Sequence, residues 1–116
     1  MSDPELSPGD IAWVALDPVR GREQGGHRPL LVIASTGYLD AVTTLVIGLP
    51  ITSVDRQWPN HVAARGETGL DRESWVMTEQ PRTLSRERIT RVSGSVSPEC
   101  LAEVRLWLGD FLDLRP

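Results

Sequence analysis

The spacing of apolar residues changes once along this chain, at Ser97. Before that residue, apolar side chains come in short runs separated by glycine, proline and polar residues, which is typical of short strands and turns. After it they recur at intervals of three and four residues, as on one face of an amphipathic helix. The recurring residues are Leu101, Val104, Leu108 and Phe111. The chain is therefore expected to form a small, mainly β fold that ends in one helix.

Three apolar segments predict the first strands, and further short strands are expected after them. The first three are residues 9–16, 30–34 and 42–51, and the later ones are 60–65, 74–78 and 89–93. The first segment carries apolar residues on both faces, so both faces are expected to be covered. In the third, the residues expected on one buried face are Leu45, Ile47, Leu49 and Ile51. Pro50 has no N–H to donate, which predicts an edge or a bulge near it.

The terminal helix has a clear beginning. Ser97 is a good N-cap and Pro98 suits the first helical position. Trp107 lies off the apolar stripe, and it either packs on the domain or takes part in a subunit contact. Several short strands followed by one helix predict a small SH3-like barrel or a curled antiparallel sheet. The length of 116 residues suits a single domain over residues 1–116.

Composition narrows the class of protein. With 40% hydrophobic and 24% charged residues, the chain reads as an ordinary globular protein. No apolar run approaches the roughly 20 residues that a membrane span needs, and the acidic, proline-containing N-terminus does not resemble a signal peptide. The cytoplasm is therefore the expected location. Cys100 is the single cysteine, which excludes an internal disulfide and a zinc site built on several thiolates. No metal or cofactor is expected.

The formal net charge of −4 is concentrated at the two ends of the chain. Residues 1–10 carry three acids and no base, and residues 98–116 carry four acids and two arginines. The middle holds ten arginines and nine acids. Within it, residues 82–91 include four arginines and one glutamate, a basic patch that either contacts phosphates or is a solvated surface.

Three polar segments are candidates for a functional site. The first is the loop 17–29, whose glycines free the backbone and whose Arg28 comes just before a predicted buried strand. The second is the strand end PITS, residues 50–53, where Thr52 is expected to face away from the core. The third is EQPRT, residues 79–83. On composition alone, the loop could equally be a polar turn, and Thr52 could cap local backbone groups.

Together these segments resemble the MazF/PemK (Kid-like) toxin family. GDIAWVALDPVRGREQGGHRP resembles the family's opening motif, PITS its strand-end motif, and EQPRT its E/D-Q-[IV]-[RK]-[TS] motif. GLDRESWVM and FLDL match further family segments in the right order. The resemblance implies a curled antiparallel sheet with a C-terminal helix, a homodimer, and sequence-selective cleavage of single-stranded RNA. It further implies an antitoxin whose acidic tail occupies the RNA groove, with DNA reached only through that antitoxin.

The resemblance also assigns roles to individual residues. Arg28 and Thr52 match the family's catalytic arginine and threonine, and Glu23 is a further catalytic candidate beside them. The residues expected to contact RNA are Arg22, Gln24, His27, Ser53, Gln80 and Arg82. Such a toxin, an mRNA interferase, acts on mRNA and can act on tRNA or rRNA.

The implied chemistry suits these residue types. The RNA 2′-OH attacks its own phosphate, which leaves a 2′,3′-cyclic phosphate and a 5′-OH without a metal ion. Arginine stays protonated at neutral pH, so Arg28 is expected to clamp the phosphorane and Thr52 to donate to a non-bridging oxygen. Glu23 and His27 are both candidates for the base.

Two residues depart from the family pattern, and two other functions stay open. Arg22 stands where the family usually has serine, and Pro81 stands where a branched apolar residue is usual, so the RNA sequence preference is left open. A gyrase-poisoning toxin of the CcdB type could share the fold. A non-catalytic SH3-like RNA-binding module would also fit a small barrel with an arginine patch.

Overall fold

The computed structural model describes residues 5–15 and 26–114. Within these ranges the chain forms seven strands, two α-helices and one 3₁₀ turn. The strands are β1 (Asp10–Ala15), β2 (His27–Val32), β3 (Leu45–Thr52), β4 (His61–Ala63), β5 (Trp75–Met77), β6 (Arg82–Ser85) and β7 (Ile89–Ser95). The helices are α1 (Thr36–Ala41) and α2 (Pro98–Phe111), and the 3₁₀ turn is Arg86–Arg88. Neither helix is long and apolar enough to cross a membrane.

All strands pair antiparallel in one sheet of order β4-β5-β3-β2-β1-β7, with β6 alongside the first half of β3. The two end strands, β4 and β7, form no pair with each other in the described ranges, so the sheet is curled but open. The predicted class, mainly β with a C-terminal helix, is confirmed. The six predicted strands are all present with shifted ends, whereas α1, β6 and the 3₁₀ turn were not predicted.

The strand β3 is the centre of the sheet and differs from its prediction at both ends. It begins at Leu45 rather than at residue 42, because α1 takes up the chain before it. Leu45 is 36% exposed, so its prediction as a core residue was wrong, and Val46 is buried instead. Pro50 pairs with Leu30 inside the sheet, not at its edge. On the side of β3 away from β2, the first half of β3 pairs with β6 and its end pairs with β5. Pro50 lies between these two pairings, so the missing N–H of the proline interrupts neither of them.

Alternating side chains give the sheet two apolar faces. One face packs against α2 and includes Ile11, Leu31, Leu49, Val62 and Val76. The other packs against Leu39 of α1 and includes Ala12, Val14, Leu30, Val32 and Val46. Both faces of β1 are therefore covered, as predicted. Because a shift of one residue would exchange the two faces, this alternation fixes the register between neighbouring strands.

The helix α2 begins as predicted and turns a slightly different face inward. The Ser97 side chain accepts a hydrogen bond from the Cys100 N–H, and Pro98 occupies the first turn. The fully covered positions are Cys100, Val104 and Leu108. Phe111 is 45% exposed although it lies on the same side of α2 as these three residues, so its prediction on the buried stripe was wrong. Trp107 packs against the core, the first of its two predicted settings.

Candidate active-site groove

A groove of about 590 Å³ crosses the sheet where β2 begins and β3 ends. The register between these strands explains which side chains meet there. Leu30 pairs with Pro50 and Leu31 with Leu49. Continuing the same register by two residues sets Arg28 opposite Thr52, and directly opposed residues in an antiparallel pair project from the same face. Two of the three candidate catalytic residues, Arg28 and Thr52, therefore line one groove although they are 24 positions apart in sequence.

Arg28 is held by a strand and not by a loop. It pairs with Val14 of β1, and its side chain is exposed to the groove. Its guanidinium makes no hydrogen bond or ion pair with any residue in the described ranges. The segment 30–34 was predicted as the strand, and the earlier start of β2 at His27 is what fixes the backbone at Arg28. The cation is therefore positioned through its main chain and free to bind an anion.

Thr52 combines both of its predicted settings. Its Oγ1 accepts a hydrogen bond from the Val54 N–H at 3.1 Å, which orients the side chain at the strand end. Within the described residues the hydroxyl proton has no acceptor, and the half-buried side chain lines the groove. A hydroxyl that accepts from the backbone and keeps its own proton is arranged to donate to a ligand oxygen.

The described candidates for RNA contact all line this same groove: His27, Ser53, Gln80 and Arg82. Three further candidates, Arg22, Glu23 and Gln24, lie outside the described residues. The groove is also lined by Arg72, Arg88 and one acid, Asp71. Although the chain carries a net charge of −4, arginines therefore outnumber acids along the groove.

The interpretation of residues 82–91 as one phosphate-binding patch is only partly right. Arg82 and Arg88 line the groove. Arg86 donates to the carbonyl oxygens of Leu45 and Leu39, a structural role that joins the 3₁₀ turn to β3 and α1. Arg91 lies over the ring of Trp13, with its guanidinium carbon 4.6 Å from the ring centroid. Neither of these two arginines lines the groove.

A carboxylate that was not predicted as a site residue supports the floor of the groove. Glu79 accepts hydrogen bonds from Asn60 Nδ2 at 2.8 Å, from His61 Nε2 at 3.1 Å and from Gln80 Nε2 at 3.2 Å. Burial raises the pKa of the Glu79 carboxyl, whereas hydrogen bonds from its own backbone N–H, from His61 and from Gln80 lower it. The hydrogen bonds outweigh burial, so the pKa lies below its ordinary value. The ionised carboxylate thus orients the Gln80 amide, which lines the groove.

The His61–Glu79 contact had no local signal in the sequence. The two residues are 18 positions apart, and His61 becomes a partner of Glu79 only because β4 and β5 pair with His61 opposite Met77. His61 is 7% exposed, and its Nδ1 is buried without a partner among the described atoms. A metal site is not part of this arrangement: within the described residues, no three His, Cys, Asp or Glu side chains lie together as a metal ion requires.

Comparison with known proteins points to one family. Residues 7–112 match the model of the PemK-like, MazF-like toxin of type II toxin–antitoxin systems. The chain is 31% identical to the endoribonuclease toxin MazF of Escherichia coli K12 over 98 residues, which cover 84% of this chain and 85% of that protein. It is 36% identical to the endoribonuclease EndoA of Bacillus subtilis over 84 residues, covering 71% and 72% of the two chains.

A solved structure matches the fold over nearly its whole length. A chain in the crystal structure of MazE–MazF (form II) from Deinococcus radiodurans superposes with a TM-score of 0.84 and 30% identity. The match covers 97% of this chain and 100% of that one. The open sheet and terminal helix described above are therefore shared with MazF structures.

Proposed function

The chain belongs to the PemK-like, MazF-like toxin family and is an endoribonuclease of a type II toxin–antitoxin system, and from this premise we propose that its groove cleaves single-stranded RNA without a metal ion. The observation that carries the proposal is that Arg28 and Thr52 line the same groove, in which arginines outnumber acids among the described residues. The names of the relatives favour a ribonuclease over the alternatives of a gyrase poison or a non-catalytic binding module.

The proposed reaction is an internal transesterification. The 2′-oxygen of one nucleotide bonds to the adjacent phosphorus, its proton passes to a base, and the bond from phosphorus to the 5′-oxygen breaks. The leaving oxygen takes a proton, so the products are a 2′,3′-cyclic phosphate and a 5′-OH. Extra negative charge collects on the non-bridging oxygens in the transition state, and preorganised donors aimed at that charge are most effective.

Arg28 and Thr52 are proposed to supply those donors. The Arg28 guanidinium presents a rigid set of N–H groups that matches two phosphate oxygens. The Thr52 hydroxyl, whose oxygen already accepts from the Val54 N–H, donates a hydrogen bond to a non-bridging oxygen of the phosphorane. Because both side chains project from paired strands, their spacing is set before the substrate binds.

The base is proposed to be Glu23 or His27. His27 opens β2, pairs with Ala15 and lines the groove next to Arg28. Glu23 comes four residues earlier in the same segment of the chain. The pH dependence of kcat/KM in Glu23→Gln and His27→Gln distinguishes the two candidates. Only the variant that lacks the base should lose the increase in kcat/KM that accompanies deprotonation of the base as the pH rises.

Arg28→Ala is the direct test of the site. It is expected to lower the cleavage rate of a long single-stranded RNA by about 10²–10³-fold or more, measured in EDTA, with the cleavage ends identified chemically. Arg105→Ala, an exposed arginine of α2 outside the groove, is the matched control and should cleave normally. Unchanged cleavage by Arg28→Ala would overturn the assignment, and loss of wild-type cleavage in EDTA would overturn the metal-free mechanism.

The same groove is proposed to receive the cognate antitoxin. A disordered acidic segment would meet the arginines that RNA also needs, so the two should compete. The match to a MazE–MazF complex supports an antitoxin of this kind and a dimeric toxin. An antitoxin complex that cleaves RNA at the undiminished rate would contradict shared use of the groove. We place the protein in the cytoplasm, where its RNA substrate is.

Gln80 is proposed to read a base beside the scissile step. Its amide is oriented by Glu79 and followed by Pro81, which has no backbone N–H to offer the RNA. Arg22 adds a cation next to Glu23 in the sequence. These two departures from the family pattern are expected to change the preferred sequence, which mapping of cleavage sites on a long RNA would reveal.

A further inference from the structure

Trp58 is exposed in a way that neither the fold nor the proposed catalytic pair explains. It lies in the segment 53–60, which joins the end of β3 to β4, and 49% of its surface faces solvent. The other three tryptophans are less exposed than Trp58, and two of them, Trp13 and Trp107, pack against the core. An exposed indole offers a flat, largely apolar surface that a ligand can cover.

A rigid support holds the Trp58 ring in place. The ring packs against the imidazole of His61, with 4.8 Å between centroids and 41° between planes. The His61 backbone N–H donates to the Trp58 carbonyl oxygen at 3.0 Å. His61 is itself buried and bound through Nε2 to Glu79. The indole is therefore fixed from beneath while its outer surface stays open, so a planar ligand could stack on it at little cost in conformational entropy.

Two routes connect Trp58 to the groove. Along the chain, its segment begins with Ser53 and Val54, which both line the groove, and Val54 is 52% exposed. Across the sheet, His61 contacts Glu79, and Glu79 accepts from the groove-lining amide of Gln80. Trp58 is thus linked to groove-lining residues both along the chain and through the side chains of His61 and Glu79.

We propose that Trp58 extends the RNA site, with a nucleobase outside the scissile step stacked on the exposed surface of its indole. The inference rests on the proposed ribonuclease function and adds a subsite to it. A flat apolar ring next to an arginine-lined groove matches a nucleic acid strand, whose backbone needs cations and whose bases need aromatic surfaces. Because every base has a π face, the subsite strengthens binding without selecting a sequence, which is left to groups such as Gln80.

The experiment compares two substrates that share one mapped cleavage site. The minimal oligonucleotide ends one nucleotide on each side of the scissile step, and the extended one continues five nucleotides further in both directions. Trp58→Ala is expected to raise KM for the extended substrate by about 5- to 150-fold, with kcat unchanged and no effect on the minimal substrate. Trp58→Phe, which keeps an aromatic face, should restore most of the affinity.

Phe111→Ala is the matched control. Phe111 is 45% exposed and stacks on Trp107 with 5.7 Å between centroids and 43° between planes, a setting close to that of Trp58 but on α2. It should leave both KM values unchanged, and light scattering should give all variants the wild-type mass. Equal losses on both substrates would assign Trp58 a purely structural role and overturn the subsite.

Two further results would also overturn it. One is an unchanged KM for the extended substrate in Trp58→Ala, and the other is a loss confined to the affinity for an acidic antitoxin peptide. Failure of the proposed function is a separate result: wild-type protein would then cleave neither substrate. The subsite is still testable in that case, through binding of the extended oligonucleotide with 2′-methoxy groups, which cannot be cleaved. Trp58→Ala should bind it 5- to 150-fold more weakly.

Discussion

Replacing Glu79 by glutamine tests whether the support beneath the groove depends on a charge. The carboxylate accepts from Asn60, His61 and Gln80, and such charge-assisted hydrogen bonds are each worth about 1.5–3 kcal/mol net. Glutamine keeps one oxygen and turns an NH₂ group toward its partners, and the amide nitrogens of Asn60 and Gln80 cannot accept from it. The side chain is 28% exposed, so water replaces part of the loss. We expect Glu79→Gln to lower the free energy of unfolding by about 2–4 kcal/mol.

The pH dependence of this loss has a definite sign. The pKa of Glu79 is lower in the folded protein than its ordinary value of 4.5, so the folded state binds this proton less tightly than the unfolded state. The stabilisation is therefore complete above pH 4.5 and is lost as the pH falls through the lowered folded-state pKa. Glu79→Gln has no such group, and the difference between wild type and variant should shrink below pH 4.5.

Urea unfolding at a series of pH values measures both effects. Glu73→Gln, which neutralises an exposed carboxylate outside this network, is the control and should lie within about 0.5 kcal/mol of wild type at neutral pH. Two results would refute the reasoning: a Glu79→Gln protein as stable as this control at pH 7, or a stability difference that grows toward acid pH. A folded Glu79→Gln protein should also show altered base preference, because Gln80 loses its orienting partner.

The remaining predictions concern stability and are measured by thermal or urea unfolding. Gly94→Ala should cost at least about 2 kcal/mol, because the added Cβ would overlap the backbone carbonyl of Glu67; a neutral effect would contradict this close approach. Gly37→Ala should stabilise by about 0.5–1 kcal/mol, since this α1 position is open and glycine is unfavourable in helices; destabilisation would mean that α1 is constrained elsewhere. The Arg65–Glu103 pair is 2.9 Å apart but 48% and 46% exposed, so a double-mutant cycle should give a coupling below about 1 kcal/mol that falls further in salt.

Elements with a clear apolar periodicity or a local capping signal could be predicted from the sequence. Elements that are very short, or whose burial depends on pairing with another strand, could not. The helix start at Ser97 and Pro98 was predicted because capping is local. The six-residue α1 was missed because its helix signal is confined to one turn after Ser35, inside a segment rich in β-branched residues. The strand β6 was missed because its burial depends on pairing with β3, not on an apolar pattern of its own.

The same distinction applies to the site. Arg28, Thr52 and Gln80 were predicted from family motifs, each contained in a short stretch of sequence. The candidate segment 79–83 included Glu79 without giving it a role, and its contact with His61 arises from the pairing of β4 with β5. A single sequence carries no signal for such a cross-strand contact, since neither residue has a characteristic spacing from the other. Pairing information is what would have found it.

The geometry of the proposed catalytic pair depends on core packing at a distance from the groove. The register that pairs Leu30 with Pro50 brings together the ends of β2 and β3 that carry Arg28 and Thr52, and Leu30 can pack there because Gly48 on β3 has no side chain. A Cβ at Gly48 would lie 2.5 Å from Leu30 Cγ and 2.7 Å from the Leu31 carbonyl oxygen. The close approach of β2 to β3 is thus fixed at Gly48, four residues along β3 from Thr52. Two apolar faces and one glycine therefore fix the strand ends that carry Arg28 and Thr52, although no described ion pair holds Arg28.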